Sequence, residues 1–443
     1  MHRPLRVLVT AAALATVTAS TCLTAPAVAD PANEPVLQAR AVLPAQTFAE
    51  GPPSGAALGT APVNGVVPPF TGQPVQGFSA LIEDGRRGYL ALSDNGYGAK
   101  ANSADFLLRA YRLLPDFRTG TVAVRGFVGF SDPHGFAGQP LTRADRQLTG
   151  ADFDPESLRR VPDGTFWVGE EFGPSLLHFS ATGELLRPPV RLPVPDRLAA
   201  YGRGREFVTS PDAPELAVPN PAAGTGPAVP ATVPSATAAA SANLPGSRGV
   251  EGMALSTDGR TLYPSLEGAL FDDRDQRRRV VYAFDLRTER FAARTADLRL
   301  GAAGDAIGDL TAAGPDTLLV IARDNAQGTA ARTKDVLQVD ISRFTGYLPT
   351  TPLVDLLSLS NPEPLVGGPA VPGTVGLGDP FAFPFQTIES LLVQDRRTLV
   401  IANDNNFPFS AGRRPGVPDD NEVIVVSLPR PLPRALPRGG DRP

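Results

Sequence analysis

The chain has 443 residues, 42% of them hydrophobic and 20% charged, which is enough apolar material for a large folded core. Its formal net charge of −5 argues against nucleic acid or an anionic membrane as a broad partner. Positive charge is almost all arginine, Lys100 and Lys334 being the only lysines. A GC-rich genome explains that bias, and a planar guanidinium also suits phosphate or carboxylate.

The chain opens on an export segment. Arg3 and Arg6 give a short basic start, Val7 to Thr18 is apolar and alanine-rich, and Ala27-Val28-Ala29 fits the small-residue cleavage rule. Residues 1–29 are read as a signal peptide, Asp30 as the mature start, and the protein as secreted. The apolar run is too short to span a bilayer and no later stretch is long enough, so no transmembrane segment is expected. Cys22, the only cysteine, falls inside this segment. Disulfides, thiolate catalysis and cysteine-ligated zinc are thereby excluded from the mature chain.

From Phe78 onward one plan recurs five times. A small or acidic residue starts a short apolar run, a loop with Gly or Asp turns it, and a second apolar run ends in acids or amides. The first copy reads Phe78-Ser79-Ala80-Leu81, turns at Asp84-Gly85, and runs from Tyr89 to Asp94-Asn95. The second starts at Glu156, turns at Pro162-Asp163-Gly164, and passes through Thr165-Phe166-Trp167-Val168 to Glu170-Glu171. Residues 209–247 then interrupt the pattern with Ala, Pro, Thr and Ser and almost no large apolar side chains, the composition of a flexible surface insertion. The third copy opens Val250-Glu251-Gly252-Met253, turns at Asp258-Gly259 and closes at Glu267. The fourth goes from Asp309-Leu310 to Arg323-Asp324-Asn325, and the fifth from Ile388-Glu389-Ser390-Leu391 to Asn403-Asp404-Asn405. Residues 429–443 form a Pro/Arg-rich tail expected to be disordered.

Ser79 to Asp94, Glu156 to Glu171, Asp309 to Asp324 and Glu389 to Asp404 share one spacing, and Glu251 to Glu267 is one residue longer. Two β-rich runs around a Gly/Asp turn predict a hairpin, whose first and last residues lie at the same open end. Further β-rich runs follow each hairpin, at Phe106–Leu114, Leu176–Phe179, Val280–Phe284, Val336–Val339 and Val423–Val426. The pattern predicts an all-β chain, a β-propeller of four-stranded antiparallel blades occupying residues 30–428. Its length suits six blades, the sixth combining the N-terminal region with residues 120–131. A helical reading is poor, because periodicity near 3.6 is scarce and 47 prolines punctuate the chain.

These residues resemble the phytase-like family, described as having esterase-like activity. The resemblance lies in Gly77-Phe78-Ser79 with Ala91 to Gly96, and in Asp154-Pro155-Glu156-Ser157 with Phe166 to Leu176. It continues in Arg248 to Ala254, in Ile307-Gly308-Asp309-Leu310 with Arg323-Asp324, and in Ile388-Glu389 with Asn403-Asp404-Asn405. It runs from about Ala41 to Leu428. It implies a propeller fold and suggests hydrolysis of phosphoesters or esters.

Blades set radially bring Glu156, Glu251, Asp309 and Glu389 to one axis, with Asp94, Glu171, Asp324 and Asp404 nearby. Such crowding of like charge raises pKa values or binds a cation. An all-oxygen ligand set selects a hard ion, Ca²⁺ before Mg²⁺, so these eight acids are the expected calcium ligands. The competing expectation is that they cap strands or pair with Arg248 and Arg323 in closed networks. In an enzyme, Glu156, Glu251 and Glu389 are the candidate catalytic carboxylates, one serving as base. Arg248, Arg323 and Asn405 are the candidates to hold an anionic substrate, although Asn95, Asn325, Asn403 and Asn405 fit turns equally well.

Other chemistries lack their residues. His178 lies in a strand and reads as packed, His134 lies in a loop, and Trp167 reads as core. There is no nucleophile elbow, no His-Glu-x-x-His, no P-loop and no dinucleotide fingerprint. Three functions stay open: a secreted, monomeric calcium-dependent hydrolase of small anionic phosphoesters, a calcium-dependent esterase or lactonase, and a non-catalytic extracellular propeller that binds a ligand.

Overall fold

The computed structural model describes residues 34–85, 88–226, 228–302, 304–362 and 371–433. The expected signal peptide (1–29), and the expected tail from residue 434 onward, lie outside the described residues.

All five repeats fold as antiparallel hairpins. They pair Phe78–Asp84 with Gly88–Ser93, Pro155–Arg160 with Phe166–Glu170, and Val250–Leu255 with Thr261–Leu266. Ala306–Gly314 pairs with Thr317–Arg323, and Thr387–Asp395 with Thr398–Asp404. Alternating Val, Ile, Leu and aromatic residues favour the pleated conformation. Gly164 (φ +89°) and Gly259 (φ +71°) supply the left-handed backbone that two of the turns need. The runs that follow each hairpin are third strands, at Arg109–Asp116, Ser175–Phe179, Arg278–Val281, Lys334–Asp340 and Asn421–Ser427.

The described residues form five blades, not six. Thr121–Gly129, expected to help build a sixth, is the fourth strand of the first blade. Val36–Leu43, the other expected contributor, is the fourth strand of the last. Thus the N-terminal strand closes the ring onto the C-terminal one, and it touches the first blade through one parallel bridge, Val42 to Thr121. That closure is held by charge as well as by the ladder. Glu422 lies opposite Val42 and accepts hydrogen bonds from Arg40 (2.7 Å) and from Arg413 (2.9 and 2.8 Å).

The first strands of the hairpins pack side by side in chain order, and the fifth returns to the first, so they line one shaft. Leu81, Leu158, Met253, Leu310 and Leu391 occupy equivalent places on them and are each at most 1% exposed. Every such side chain contributes about 1.5–3 kcal/mol by leaving water. Trp167 is core, as expected, stacked on His178 with ring centroids 4.3 Å apart.

The low-complexity stretch is more structured than its composition suggests. Ala217–Pro219 pairs with Thr232–Pro234, and Leu216, Ala238 and Ala242 make a small apolar cluster. Asn243 anchors its far end by accepting from the Thr209 N–H (2.8 Å) and donating to the Gly202 and Phe207 carbonyls. Backbone hydrogen bonds and one buried amide compensate there for the missing large side chains. No described helix is long and apolar enough to cross a membrane.

Candidate active site

One irregularity recurs in all five first strands and builds the site. The pairing register slips between Phe78 and Ala80, Pro155 and Ser157, Val250 and Gly252, Ile307 and Leu310, and Ile388 and Ser390. Each slip is a β-bulge, in which one strand carries an extra residue and re-aims its side chain. The extra residues are Ser79, Glu156, Glu251, Gly308 and Glu389. Glu156, Glu251 and Glu389 converge, with one carboxylate oxygen from each lying within 4.8 Å of the others.

A second ring comes from the residues at or just past the end of each second strand: Asp94, Glu171, Glu267, Arg323 and Asp404. The backbone N–H groups of Asp94, Glu171 and Glu267 bond the carbonyls of Gly77, Asp154 and Gly249, which places these three alike. Arg323 and Asp404 pair with Ala306 and Thr387 in the same register. Asp154, Glu156 and Glu171 make a second trio with oxygens within 4.8 Å, so Glu156 belongs to both.

The charge balance is lopsided. Arg323 is fully enclosed and donates to Glu267 (2.9 Å), Glu389 (2.8 Å) and Asn325 (2.7 Å). Arg248 donates to Glu267 at 2.6 Å. Burial, reinforced by Asp154, pushes Asp94 up to about 8, and burial with Asp94 beside it does the same to Asp404. Burial raises Glu389 to about 8 although Arg323 opposes the shift. Glu156, Glu171 and Glu251 lie well above the usual carboxylate range, first from burial and then from their acidic neighbours. Asp154 and Glu156 share a hydrogen bond, and so do Glu251 and Glu389, contacts between carboxyls that need a shared proton or a cation. Glu171 Oε1 and Glu251 Oε1 are enclosed with no hydrogen-bond partner. Two carboxyl oxygens that accept no hydrogen bond, Glu251 Oε1 facing only Arg323 at 3.7 Å, stand beside three more acids, and such an all-oxygen set fits a hard cation.

Not every expected residue joins the cluster. Asp309 is one position past the bulge, where Gly308 stands in the place of Glu389. A Cβ on Gly308 would lie 1.9 Å from the Ile388 carbonyl oxygen, so only glycine fits. Asp309 instead binds Arg159 (2.9 Å) and accepts from the Leu391 N–H (3.1 Å). Arg159 belongs to the second blade and Asp309 to the fourth, so the pair bridges blades that are not neighbours and plugs the shaft. Asp324 is likewise one past the ring, turned to Lys334 (3.1 Å) and to the Arg332 and Thr333 N–H groups. Arg323, expected to hold substrate, is buried and spends its terminal nitrogens on Glu267, Glu389 and Asn325. Asn405 is buried, donating to the Asp419 carbonyl (2.9 Å) and accepting from the Gly77 N–H (3.4 Å). Asn403 and Asn95 do similar work, accepting from the N–H groups of Glu422 and Gly98. Asp154 and Glu267 were not among the expected site residues. Asp154 stands two before Glu156, and Glu267 ends the third hairpin, so both had a signal in the repeat.

Residues 73–407 match the family model Phytase-like, described as "Esterase-like activity of phytase". No curated protein matches the chain. Solved structures similar to it include a luciferin-regenerating enzyme (10% identity, TM-score 0.34, covering 80% of this chain and 78% of that one). An exo-β-1,3-galactanase from Clostridium thermocellum matches at 10% identity and TM-score 0.39, over 80% of this chain and 59% of that one. The PQQ-bound aldose sugar dehydrogenase from Streptomyces coelicolor matches at 10% identity and TM-score 0.29, over 90% and 100% of the two chains.

Proposed function

The chain belongs to the phytase-like family, and on that footing we propose that it is a secreted, calcium-dependent hydrolase of small anionic phosphoesters, acting at the mouth of the propeller shaft. The arrangement that carries this reading is the convergence of Glu156, Glu251 and Glu389 within 4.8 Å, with Glu251 Oε1 accepting no hydrogen bond and facing Arg323 only at 3.7 Å. Glu156, Glu251 and Glu389 would hold the ion, with Asp154 and Glu171 completing an all-oxygen set that suits calcium's high coordination number better than magnesium's octahedron. When bound, the ion supplies Lewis-acid polarisation of a phosphoryl oxygen.

The remaining work belongs to side chains. Arg323 holds Glu389 and Glu267 in place, and Ser79 donates to Glu389 at 3.4 Å, so Glu389 is the most firmly oriented carboxylate of the three. Once deprotonated beside a bound ion, a carboxylate so oriented can take the proton of the attacking water. Arg248, 30% exposed along its side chain, meets the substrate from the rim.

Metal-free protein should melt at a higher temperature once calcium is added and should release phosphate from a phosphomonoester panel only in its presence. Neither a melting shift nor calcium-dependent release would remove the reading. Cleavage of aryl esters or lactones without phosphate release would move the activity to carboxylic esters at the same site. Turnover that survives Glu251→Ala and Glu389→Ala in folded protein would place the chemistry elsewhere.

A further inference from the structure

We propose that Lys100, on the loop that leaves the first hairpin, is a substrate-anchoring residue that receives an oxygen of the phosphoryl group between the first and second blades. This deepens the phosphoester reading above and rests on it.

The loop after Ser93 emerges at the mouth end, where the second strand of the hairpin finishes. It is pinned there: the Asn95 N–H donates to Asp154 Oδ1 (3.2 Å), and Asn95 Oδ1 accepts from Gly98 N–H (2.8 Å) and Ser103 Oγ (3.3 Å). The loop that carries Lys100 is therefore tied through Asn95 to an acid of the candidate metal cluster. Its ammonium sits over the ring of Phe172, 5.6 Å from the centroid. Phe172 directly follows Glu171, whose Oε1 is one of the two oxygens that accept no hydrogen bond.

Lys100 is only 5% exposed, a costly place for an ammonium, and burial lowers its pKa. Yet among the described residues its ammonium makes no hydrogen bond and no ion pair, and this nitrogen is not among the fully enclosed polar atoms that lack a partner. The tip thus keeps an opening to solvent. Nearby acids do not claim it. Glu170 accepts from Phe172 N–H, Gly173 N–H and Ser175 Oγ, and Asp152 accepts from Thr142 and Thr149. Asp212 acts on it through space without contact. The other lysine, Lys334, has two carbonyls and Asp324 as partners. Arg323 and Arg248 are held by Glu267. Among the described residues the Lys100 ammonium thus keeps its donors uncommitted, and a desolvated ammonium is worth most to an anion that completes its hydrogen bonds.

The test is calorimetric titration of inorganic phosphate into the calcium-loaded full chain, compared with Lys100→Met, Lys100→Arg and Asp212→Asn. Calcium-dependent melting of each variant runs alongside. Lys100→Met should weaken phosphate binding tenfold or more, Lys100→Arg should restore part of it, and Asp212→Asn should keep or tighten it. Calcium should still raise the melting temperature of all three. Undiminished phosphate binding in Lys100→Met overturns the proposal, and so does wild-type protein that binds calcium but no phosphate. If Lys100 served only to balance Asp212, Asp212→Asn and Lys100→Met would destabilise alike and leave phosphate binding unmoved, which also overturns it. A missing calcium shift with phosphate binding still lost in Lys100→Met would remove the metal site and keep Lys100.

Discussion

Glu422→Gln tests how the ring is closed. Burial alone would raise the Glu422 carboxyl, but Arg413 and Arg40 outweigh it and hold it down to about 2, from an ordinary value of 4.5. At about 1.4 kcal/mol per pKa unit, that difference amounts to about 3 kcal/mol of folding stability at neutral pH. The sign follows from the lowered folded-state value. The contribution is complete above the unfolded pKa near 4.5 and is lost as pH falls through the folded value near 2. Removing the charge also leaves Arg40 and Arg413 without the carboxylate they share, and breaking a buried pair in this way typically costs about 3–5 kcal/mol. Urea unfolding of wild type and Glu422→Gln at pH 7 should differ by about 3 kcal/mol, and the difference should shrink toward pH 2. Equal stability at pH 7, or a gap that does not change with acid, would refute the reasoning.

Other perturbations probe the shaft. Gly308→Ala places a Cβ 1.9 Å from the Ile388 carbonyl and should lower the melting temperature sharply or prevent folding, whereas Gly304→Ala, with nothing within 4 Å, should leave it unchanged. Asp309→Asn removes the charge opposite buried Arg159 and should cost about 3–5 kcal/mol in urea unfolding, with calcium binding intact. Arg323→Met strips the guanidinium that joins Glu267 to Glu389 and should destabilise the protein by a similar amount of about 3–5 kcal/mol, together with loss of any turnover.

The hairpins were legible because each carries its turn chemistry and apolar alternation within a short span. Glu156, Glu251 and Glu389 were legible because spacing alone places both ends of a hairpin together. The fourth blade shows the limit of that logic. Gly308 to Arg323 and Asp309 to Asp324 have the same spacing, so spacing cannot say which pair meets the axis. The bulge decides, and it selects the glycine and the arginine, which carry no acidic signal. Blade number failed for a related reason. Val36–Leu43 and Thr121–Gly129 read alike as spare strands, and only pairing partners assign one to the last blade and one to the first. Lys100 and Asn243 gain their places from contacts between distant segments, which no local pattern encodes.

Calorimetric titration of calcium into metal-free wild type and into Glu251→Gln addresses the bulge glutamates most directly. One saturable site in wild type, weakened at least tenfold by this single change of charge in a protein that stays folded, is the predicted result. Heats that match between the two proteins, or no saturable binding in wild type, would contradict it.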